Sequence, residues 1–225
     1  MQLTWLHIPK TGGTAIKYLQ HEHRRQWFSI DALGHHMTLA RMPGGRPVAF
    51  AIRDPWQRFC SGYWERATTA LRIQARRERR DLKLPDFGYS SVRGDEQEFY
   101  KKFPTPNDVI TGLRSESCKI PSRCPIEEMT WPAAHWIHNL ENYKKHEHKV
   151  HVVIDMQDLD AFVQEITGHT LPTDPFRRRS RALFDIPQSY DIDPENLRWF
   201  REEYRTVDYQ VQDYIRTRPY FRRFG

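Results

Sequence analysis

Three short apolar stretches, each followed by a helical pattern, organise the sequence. Leu3–Ile8 is almost continuously apolar and leads into a Gly-rich turn, after which Ile16 and Leu19 stand at helical spacing. Pro47–Ile52 and Val150–Ile154 are two further apolar stretches. Continuous apolar runs of this length are typical of strands that are buried on both faces. Strands that alternate with helices predict an α/β fold, in which helices flank a central parallel sheet.

Helix signals are clearest after the second strand. Asp54 suits the N-cap position and Pro55 the first helical position, so we predict a long helix over Trp56–Lys83. The stretch Leu84–Ser122 is rich in Pro, Gly and polar residues and predicts loops with short helices. Further helices are predicted over Glu127–Tyr143, Leu159–Ile166 and Pro194–Arg216. No internal repeat or long linker divides the sequence, so residues 1–225 are predicted to form a single domain.

Composition narrows the class of protein. The 225 residues include seven Trp, ten Tyr and twelve Phe, enough large apolar side chains to exclude a chain that is disordered throughout. No apolar run reaches the roughly 18–20 residues that a membrane-spanning helix needs, and residues 1–8 lack the features of a secretory signal. Three cysteines are too few for a disulfide scaffold. Cys118 and Cys124 could pair in an oxidising compartment, but free thiols are expected. We therefore expect a soluble cytoplasmic protein.

The charge balance is mildly basic. The chain has 35 Lys and Arg against 29 Asp and Glu, a formal net charge of +6. A surplus of this size either solvates the surface or serves an acidic ligand, and composition alone does not choose between the two. The placement of cationic residues at the ends of the predicted strands is more informative.

The first candidate binding segment is His7–Thr14 (HIPKTGGT), directly after the first strand. Two glycines permit a tight turn, and the helix that follows begins with unpaired backbone amides. These amides and the positive end of the helix dipole suit a phosphate or sulfate, to which Lys10 adds a charge and Thr11 and Thr14 add hydroxyl donors. The residue order differs from that of a Walker A loop, in which the lysine follows the glycines. The alternative interpretation is a tight turn with an exposed lysine.

The second candidate segment, RDPWQRFCSGY, stands at the end of the second apolar strand. Arg53 directly follows the strand, and Ser61 lies about two turns into the next helix. Both side chains could therefore converge on one phosphate. The alternative is a structural corner, fixed by an Arg–Asp pair or by Asp54 and Arg58, which lie on one helix face. Asp54 and Asp155 are formal candidates for a Mg²⁺ ligand, but neither belongs to an obvious metal site.

Together the two segments resemble the sulfotransferase superfamily, enzymes that use 3′-phosphoadenylyl sulfate (PAPS) as donor. HIPKTGGT matches the 5′-phosphosulfate loop of many carbohydrate-type members, and Arg-Asp-Pro followed by Arg, Ser and an aromatic residue matches the 3′-phosphate element. The resemblance implies a P-loop-NTPase-like three-layer fold and transfer of a sulfuryl group to a hydroxyl, most simply of a carbohydrate, without a metal. It also implies that residues 84–149, where the match is loose, are an acceptor-site insertion within the domain.

The resemblance assigns roles to individual residues. Lys10 would contact the bridging oxygen of the leaving phosphate and take part in catalysis. The 5′-phosphate would lie among Pro9, Lys10, Thr11, Gly12, Gly13 and Thr14. Arg53 and Ser61 would hold the 3′-phosphate of PAPS and of its product, adenosine 3′,5′-bisphosphate. A basic loop later in the chain would close over the nucleotide, with Arg179 and Ser180 among its contacts.

Sulfuryl transfer also needs a base that takes the proton of the acceptor hydroxyl, and a neutral histidine suits this role. Many carbohydrate sulfotransferases similarly place a catalytic histidine between the two cofactor segments. His35 matches a Gly-His pattern and His36 matches a His-x-Thr pattern. The resemblance does not choose between them, and we favour His36.

Two other function classes stay open at this point. A P-loop kinase would bind ATP with Mg²⁺, but the Walker A order is missing. A nucleic-acid-binding module would interleave exposed aromatics with a basic stripe, whereas the aromatics here follow helical core spacing. The basic run Arg72–Lys83 is either a solvated helix end or a track for an acidic polysaccharide. We therefore expect PAPS and a saccharide acceptor, and no nucleic acid, metal or membrane, as partners.

Overall fold

The computed structural model describes residues 3–22, 30–32, 37–78, 94–120, 132–171 and 189–224. The chain folds into two compact units. The first comprises Met1–Arg58, Trp131–Pro175 and Arg205–Gly225, and the second comprises Phe59–Thr130 and Phe176–Tyr204. The single domain predicted for residues 1–225, with an insertion over 84–149, stays a prediction.

A parallel sheet forms the centre of the first unit. Its described strands are β1 (Leu3–Trp5), β2 (Ile30–Ala32), β3 (Val48–Ile52), β4 (Val150–Asp155) and β5 (Phe221–Arg222). Their order across the sheet is β2-β1-β3-β4-β5, and each neighbouring pair is parallel. Thr4 lies opposite Val48, which in turn lies opposite Val150. The predicted α/β class with a parallel sheet is confirmed for the residues described here.

Helices are described in both units. They are α1 (Gly13–Glu22), α2 (Pro55–Glu78), α3 (Gly94–Lys102), α4 (Pro106–Arg114), α5 (Ala134–Ile137), α6 (Leu140–His146), α7 (Leu159–Thr167), α8 (Pro194–Trp199) and α9 (Thr206–Arg216). The start of α2 is the predicted one, because Pro55 is its first residue and Asp54 Oδ1 accepts a hydrogen bond from the Gln57 amide at 3.0 Å. The short helices expected within Leu84–Ser122 are α3 and α4.

The sheet of the first unit carries helices on both faces, and β3 is therefore buried on both sides. Val48, Phe50 and Ile52 pack in one core with residues of α5, α6 and α9. Ala49 and Ala51 point to the opposite face and pack with residues of α1 and α7. This alternation is the period of a β-strand, and it explains why the stretch reads as continuously apolar in the sequence.

The second unit is built from the greater part of α2 with α3, α4 and α8. A buried ion pair joins Arg66 Nη2 of α2 to Glu96 Oε1 of α3 at 2.7 Å, with both side chains about 1% exposed. Arg114 Nη1 at the end of α4 donates to Asn196 Oδ1 of α8 at 2.6 Å. These bonds connect elements that are distant in sequence, so polar pairs as well as apolar packing define this unit.

The helix predicted over Glu127–Tyr143 is broken in its described part. Helix α5 ends at Ile137, and α6 begins three residues later at Leu140. His138 has a φ of 68° and a ψ of 177°, a conformation that no helix can contain. Asn139 then caps α6, because its Oδ1 accepts a hydrogen bond from the Asn142 amide at 3.0 Å.

The helix predicted over Pro194–Arg216 is interrupted as well. A π-helical turn, Phe200–Tyr204, follows α8, and Arg205 with φ −128° and ψ 22° leaves helical geometry before α9. The wider turn shifts the phase of the buried stripe. Val207 of α9 is therefore 39% exposed although it is apolar, whereas Asp208 is fully buried.

Candidate functional site

The loop after β1 turns sharply through two residues with positive φ. Lys10 has a φ of 67° and Gly12 a φ of 85°. A glycine adopts this conformation freely, but a lysine does so at a cost of about 1–2 kcal/mol. The strain at Lys10, which is partly exposed, is the kind of backbone outlier that clusters at ligand sites.

Both glycines of this loop are required by close contacts. A Cβ atom on Gly12 would collide with the Leu159 side chain of α7, and a Cβ atom on Gly13 would collide with the His7 imidazole. His7 is itself only 2% exposed, so its ring cannot move aside into solvent. Because Gly12 and Gly13 have no side chains, the loop can pack closely against α7 and against its own first residue, His7.

Helix α1 presents its first amides at this loop. The Gly12 carbonyl accepts hydrogen bonds from the amides of Ala15 at 2.9 Å and Ile16 at 3.3 Å. Gly13 and Thr14 are the first two residues of the helix, and their amides precede every intrahelical acceptor. Such amides, at the positive end of the helix dipole, suit the oxygen atoms of a phosphate or sulfate. The Thr14 side chain lies outside the described part of the structure.

Thr11 braces the loop from within. Its side chain is about 1% exposed, and its hydroxyl donates to the Ile8 carbonyl at 2.8 Å. The Thr11 amide approaches the same carbonyl at 3.4 Å. Since a hydroxyl has one hydrogen to donate, Thr11 uses its donor within the loop in this structure. Its predicted contact with phosphate, like that of Pro9, stays a prediction.

The structure brings the two candidate segments together at the carboxyl ends of β1 and β3. Arg53, which follows β3, donates from Nη1 to the Lys10 carbonyl at 3.4 Å. Gln212 of α9 donates from Nε2 to the Arg53 carbonyl at 2.9 Å, which fixes the backbone where the strand ends. β1 and β3 are parallel neighbours, so their carboxyl ends meet at one edge of the sheet, where α/β folds bind ligands. Lys10 and Arg53 thus form a cationic edge next to the first amides of α1.

A buried charge pair lies beyond Arg53. Arg58 is about 1% exposed, and its Nη2 is 3.9 Å from Asp208 Oδ2 of α9. The Asp208 carboxylate also accepts the amides of Ala133 and Ala134, each at 2.9 Å, and so caps α5. Burial lowers the pKa of Arg58 to about 10; Asp208 opposes this shift, and Arg205 and Arg53 add to it. Asp54 caps α2 through Oδ1, and the ion pair described for Arg58 is the one with Asp208.

The remaining predicted residues lie elsewhere or outside the description. Ser61 is a partly buried residue of α2 and belongs to the second unit. His35, His36, Arg179 and Ser180 lie outside the described residues. Cys118 is a buried free thiol, and burial raises its pKa against the effect of Lys102. Cys124 is also outside the described residues, so the predicted state of this pair is tested only at Cys118.

Both aspartates considered as Mg²⁺ ligands have hydrogen-bond partners in the structure. Asp54 caps α2, and Asp155 Oδ2 accepts from Arg223 Nη1 at 3.3 Å. Among the described residues, no group of three or more His, Cys, Asp or Glu side chains is arranged to hold a metal ion. In the same part of the chain no helix is both long and apolar enough to cross a membrane.

Comparison with family models, with curated proteins and with solved structures finds no match. Function is therefore inferred from the residues and their geometry. The relevant geometry is a glycine loop, a strained lysine and an arginine, all at the carboxyl edge of a parallel sheet.

Proposed function

We propose that this protein is a sulfotransferase with a P-loop-NTPase-like fold, which moves a sulfuryl group from PAPS to a hydroxyl of a saccharide. The observation that carries the proposal is the contact between the two candidate segments. Arg53 reaches the Lys10 carbonyl, so the HIPKTGGT loop and the Arg-Asp-Pro segment lie side by side although about 40 residues separate them.

The edge formed by these segments fits an anionic nucleotide. Gly13 has no space for a Cβ atom, and its backbone amide lies in the first turn of α1, ahead of every intrahelical acceptor. Amides of this kind bind phosphate oxygens, and an arginine pairs with a second phosphate through two parallel hydrogen bonds. A nucleotide with phosphates at both its 5′ and 3′ positions matches two cationic residues that follow neighbouring parallel strands.

The histidines, Lys10 and Arg53 have separate roles in the proposed sulfuryl transfer. His36 or His35 accepts the proton of the acceptor hydroxyl as its oxygen attacks sulfur, and the bond from sulfur to the phosphate oxygen breaks in line with the attack. Lys10 and the first amides of α1 stabilise the negative charge that develops on the departing phosphate. Arg53 holds the other end of the nucleotide, which keeps the reacting atoms aligned.

A kinase with a Mg²⁺ site is the weaker alternative. Asp54 and Asp155 are engaged in a helix cap and an ion pair, and the lysine precedes the glycines instead of following them. A nucleic-acid-binding module has no specific support, because the large aromatic side chains of the described core, such as Trp5 and Trp136, are buried.

The test is calorimetric binding of adenosine 3′,5′-bisphosphate without metal, compared with ATP and Mg²⁺. We expect the bisphosphate to bind and Arg53→Ala to weaken it at least tenfold, the loss expected for a charge-assisted pair worth about 1.5–3 kcal/mol. Lys101→Ala is the matched control, because it removes an exposed cation that pairs with Glu98 at 2.8 Å in the second unit. Absence of bisphosphate binding to the unaltered protein would overturn the proposal.

The catalytic base is tested separately from binding. His36→Ala is expected to bind the bisphosphate normally and to lose sulfuryl transfer by about 10²–10⁴-fold, the usual contribution of a general base. Normal transfer by His36→Ala with loss in His35→Ala would move the role to His35. Normal transfer by both variants would show that neither histidine acts as the catalytic base.

A further inference from the structure

A cluster of cationic side chains lies in the first unit, away from the candidate active site. We call it the histidine surface and define it as His135, His138, Lys145, His146, His148 and Lys149. The rings of His138 and His146 are 6.0 Å apart between centroids. Lys149 Nζ donates to the carbonyls of Ala40 at 3.0 Å and Met42 at 3.2 Å, and His138 Nε2 accepts from the Ala40 amide at 3.4 Å. Residues of α5, α6 and the turn before β4 therefore share one surface with the segment that leads into β3.

His138 stands in a backbone conformation that disfavours a side chain. Its φ of 68° and ψ of 177° belong to a region that is almost restricted to glycine and costs of order 1–3 kcal/mol for other residues. A glycine would relieve that strain, but it would also remove the ring that bonds Ala40 and faces His146. The backbone strain at His138 is the cost of placing an imidazole there, and strained residues of this kind cluster at functional sites.

The acidic residues described in this segment pair with one member of the surface, Lys145. Glu141 lies 3.7 Å from Lys145, and both side chains are exposed. Glu147 points its carboxylate at other partners: it accepts from Tyr214 at 2.9 Å and pairs with Arg218 at 3.5 Å. Protonation of His146 would therefore add positive charge to a surface in which Glu141 pairs only with Lys145.

Burial and neighbouring cationic side chains lower the pKa values of two histidines in the surface. Burial lowers the pKa of His138, and His146 and His135 add to the effect. Burial also lowers the pKa of His146, followed in size by the repulsion of Lys149, His148 and Lys145. An anion placed among these side chains would oppose that repulsion, so binding of the anion and uptake of protons would favour each other.

The histidine surface is at the opposite edge of the sheet from Lys10 and Arg53. Lys149 immediately precedes β4, whose first residue, Val150, pairs with the first residue of β3. Both strands thus begin at the edge that carries the histidine surface and end at the edge of the candidate active site. The two locations are separated by the length of β3, about 16 Å for five residues.

We propose that the histidine surface binds the sulfate groups of a sulfated saccharide chain when its imidazoles other than His138, whose Nε2 accepts from the Ala40 amide, are protonated. The surface would so hold a chain that has already received sulfate. The choice of a saccharide rests on the proposed function, since such a chain would be its product. A nucleic acid fits less well, because stacking needs an open aromatic face. Tyr214, the aromatic beside this surface, is covered by Lys144 at 4.9 Å and Arg218 at 5.1 Å from its ring centroid.

The test compares a sulfated oligosaccharide with the same oligosaccharide after chemical desulfation, by calorimetry at pH 7.5 and pH 5.5 without nucleotide. We expect the sulfated form to bind roughly tenfold more tightly at the lower pH, the effect of two or three added charges at a solvated surface. The double variant His146→Gln/His148→Gln should lose this gain. The control His169→Gln, a histidine outside the surface, should retain it.

Nuclear magnetic resonance of the imidazoles gives a second readout that a merely structural role would not change. The pKa of His146 should rise when the sulfated oligosaccharide binds and stay constant with the desulfated one. Equal affinity at both pH values, or an equal loss of the gain in His169→Gln, would overturn the proposal. Equally tight binding of single-stranded DNA of the same charge would overturn the choice of a saccharide.

The two proposals fail in different ways. Sulfated-chain binding with the expected pH dependence, in a protein that neither binds the bisphosphate nor transfers sulfate, supports the histidine surface and contradicts the proposed function. Bisphosphate binding and transfer without any pH-dependent binding of the sulfated chain support the proposed function and overturn the histidine surface.

Discussion

Gly13 is the residue at which packing and ligand binding depend most directly on each other. Gly13→Ala places a methyl group where the His7 imidazole lies, and we expect a loss of stability of about 1–3 kcal/mol from overpacking. The same change should weaken bisphosphate binding, because the amide that would face the phosphate must move. Urea unfolding and calorimetry measure the two effects.

Gly44→Ala is the matched control for that substitution. Nothing lies within 4 Å of where its Cβ atom would be, so the change in stability should stay within about 0.5 kcal/mol. Equal effects at the two glycines would contradict the packing role of His7.

Asp208 is a second residue whose burial makes a sharp prediction. Asp208→Asn weakens the cap of α5 and leaves the Arg58 guanidinium without its carboxylate, so a loss of about 3–5 kcal/mol is expected. Asp213→Asn on the same helix is the control: its side chain is 67% exposed and its ion pair with Arg216 should contribute at most about 1 kcal/mol. A loss at Asp208 no larger than that at Asp213 would show that the buried pair contributes little.

The positions of Lys10 and Arg53 after β1 and β3 could be predicted, because apolar strands and their ends are visible in the sequence. The roles of these two residues stay predictions. The partners of His7 and Arg58 were missed, because they depend on which distant segments pack together. A signal for Asp208 does exist: it shares a helical face with Val211 and Ile215, and a carboxylate on an apolar stripe implies a buried partner.

Among the elements, the short strand β5 makes a testable contribution to the sheet. Val153 of β4 donates its amide to the Tyr220 carbonyl at 2.9 Å, and the Phe224 ring packs at 5.9 Å from that of Phe162. Phe224→Ala should cost about 1–3 kcal/mol, less than for a fully buried ring, and should speed hydrogen exchange at Val153. Phe224→Leu keeps most of the apolar contact and should cost less than about 1.5 kcal/mol. Unchanged exchange in Phe224→Ala would mean that the ring does not hold β5.

Two short strands and two helix breaks were not predicted, because neither leaves a clear pattern in the sequence. β2 has three residues and β5 has two, too few for any period to show. The two interrupted helices keep their apolar spacing across the break in the sequence, so the pattern does not mark His138 or Arg205, where the backbone leaves helical geometry. Longer signals, such as β3 and the capped start of α2, were predicted correctly because local sequence and packing agree there.

For the whole molecule, the proposed ligand should act as a stabiliser of the first unit. Adenosine 3′,5′-bisphosphate at 100 times its Kd adds about 2.7 kcal/mol to the stability of the state that binds it. For a chain of this length, that corresponds to a rise in Tm of about 5–10 °C. Arg53→Ala, with binding weakened about tenfold, should show only about half of that rise at the same concentration. In the unaltered protein, hydrogen exchange should slow at the start of α1. An equal rise in Arg53→Ala would place the ligand elsewhere.

The position of β5 in the sheet has a consequence for synthesis of the protein. β4 has β3 on one side and β5 on the other, yet β4 and β5 are separated by about 65 residues of chain. On the ribosome, the outer edge of β4 therefore stays without its partner strand until residue 222 has left the exit tunnel. During that interval, several seconds at the usual rate of translation, the nascent chain carries an open strand edge that can pair with another nascent chain. Slow translation upstream of β5 should therefore lower the yield of correctly assembled protein.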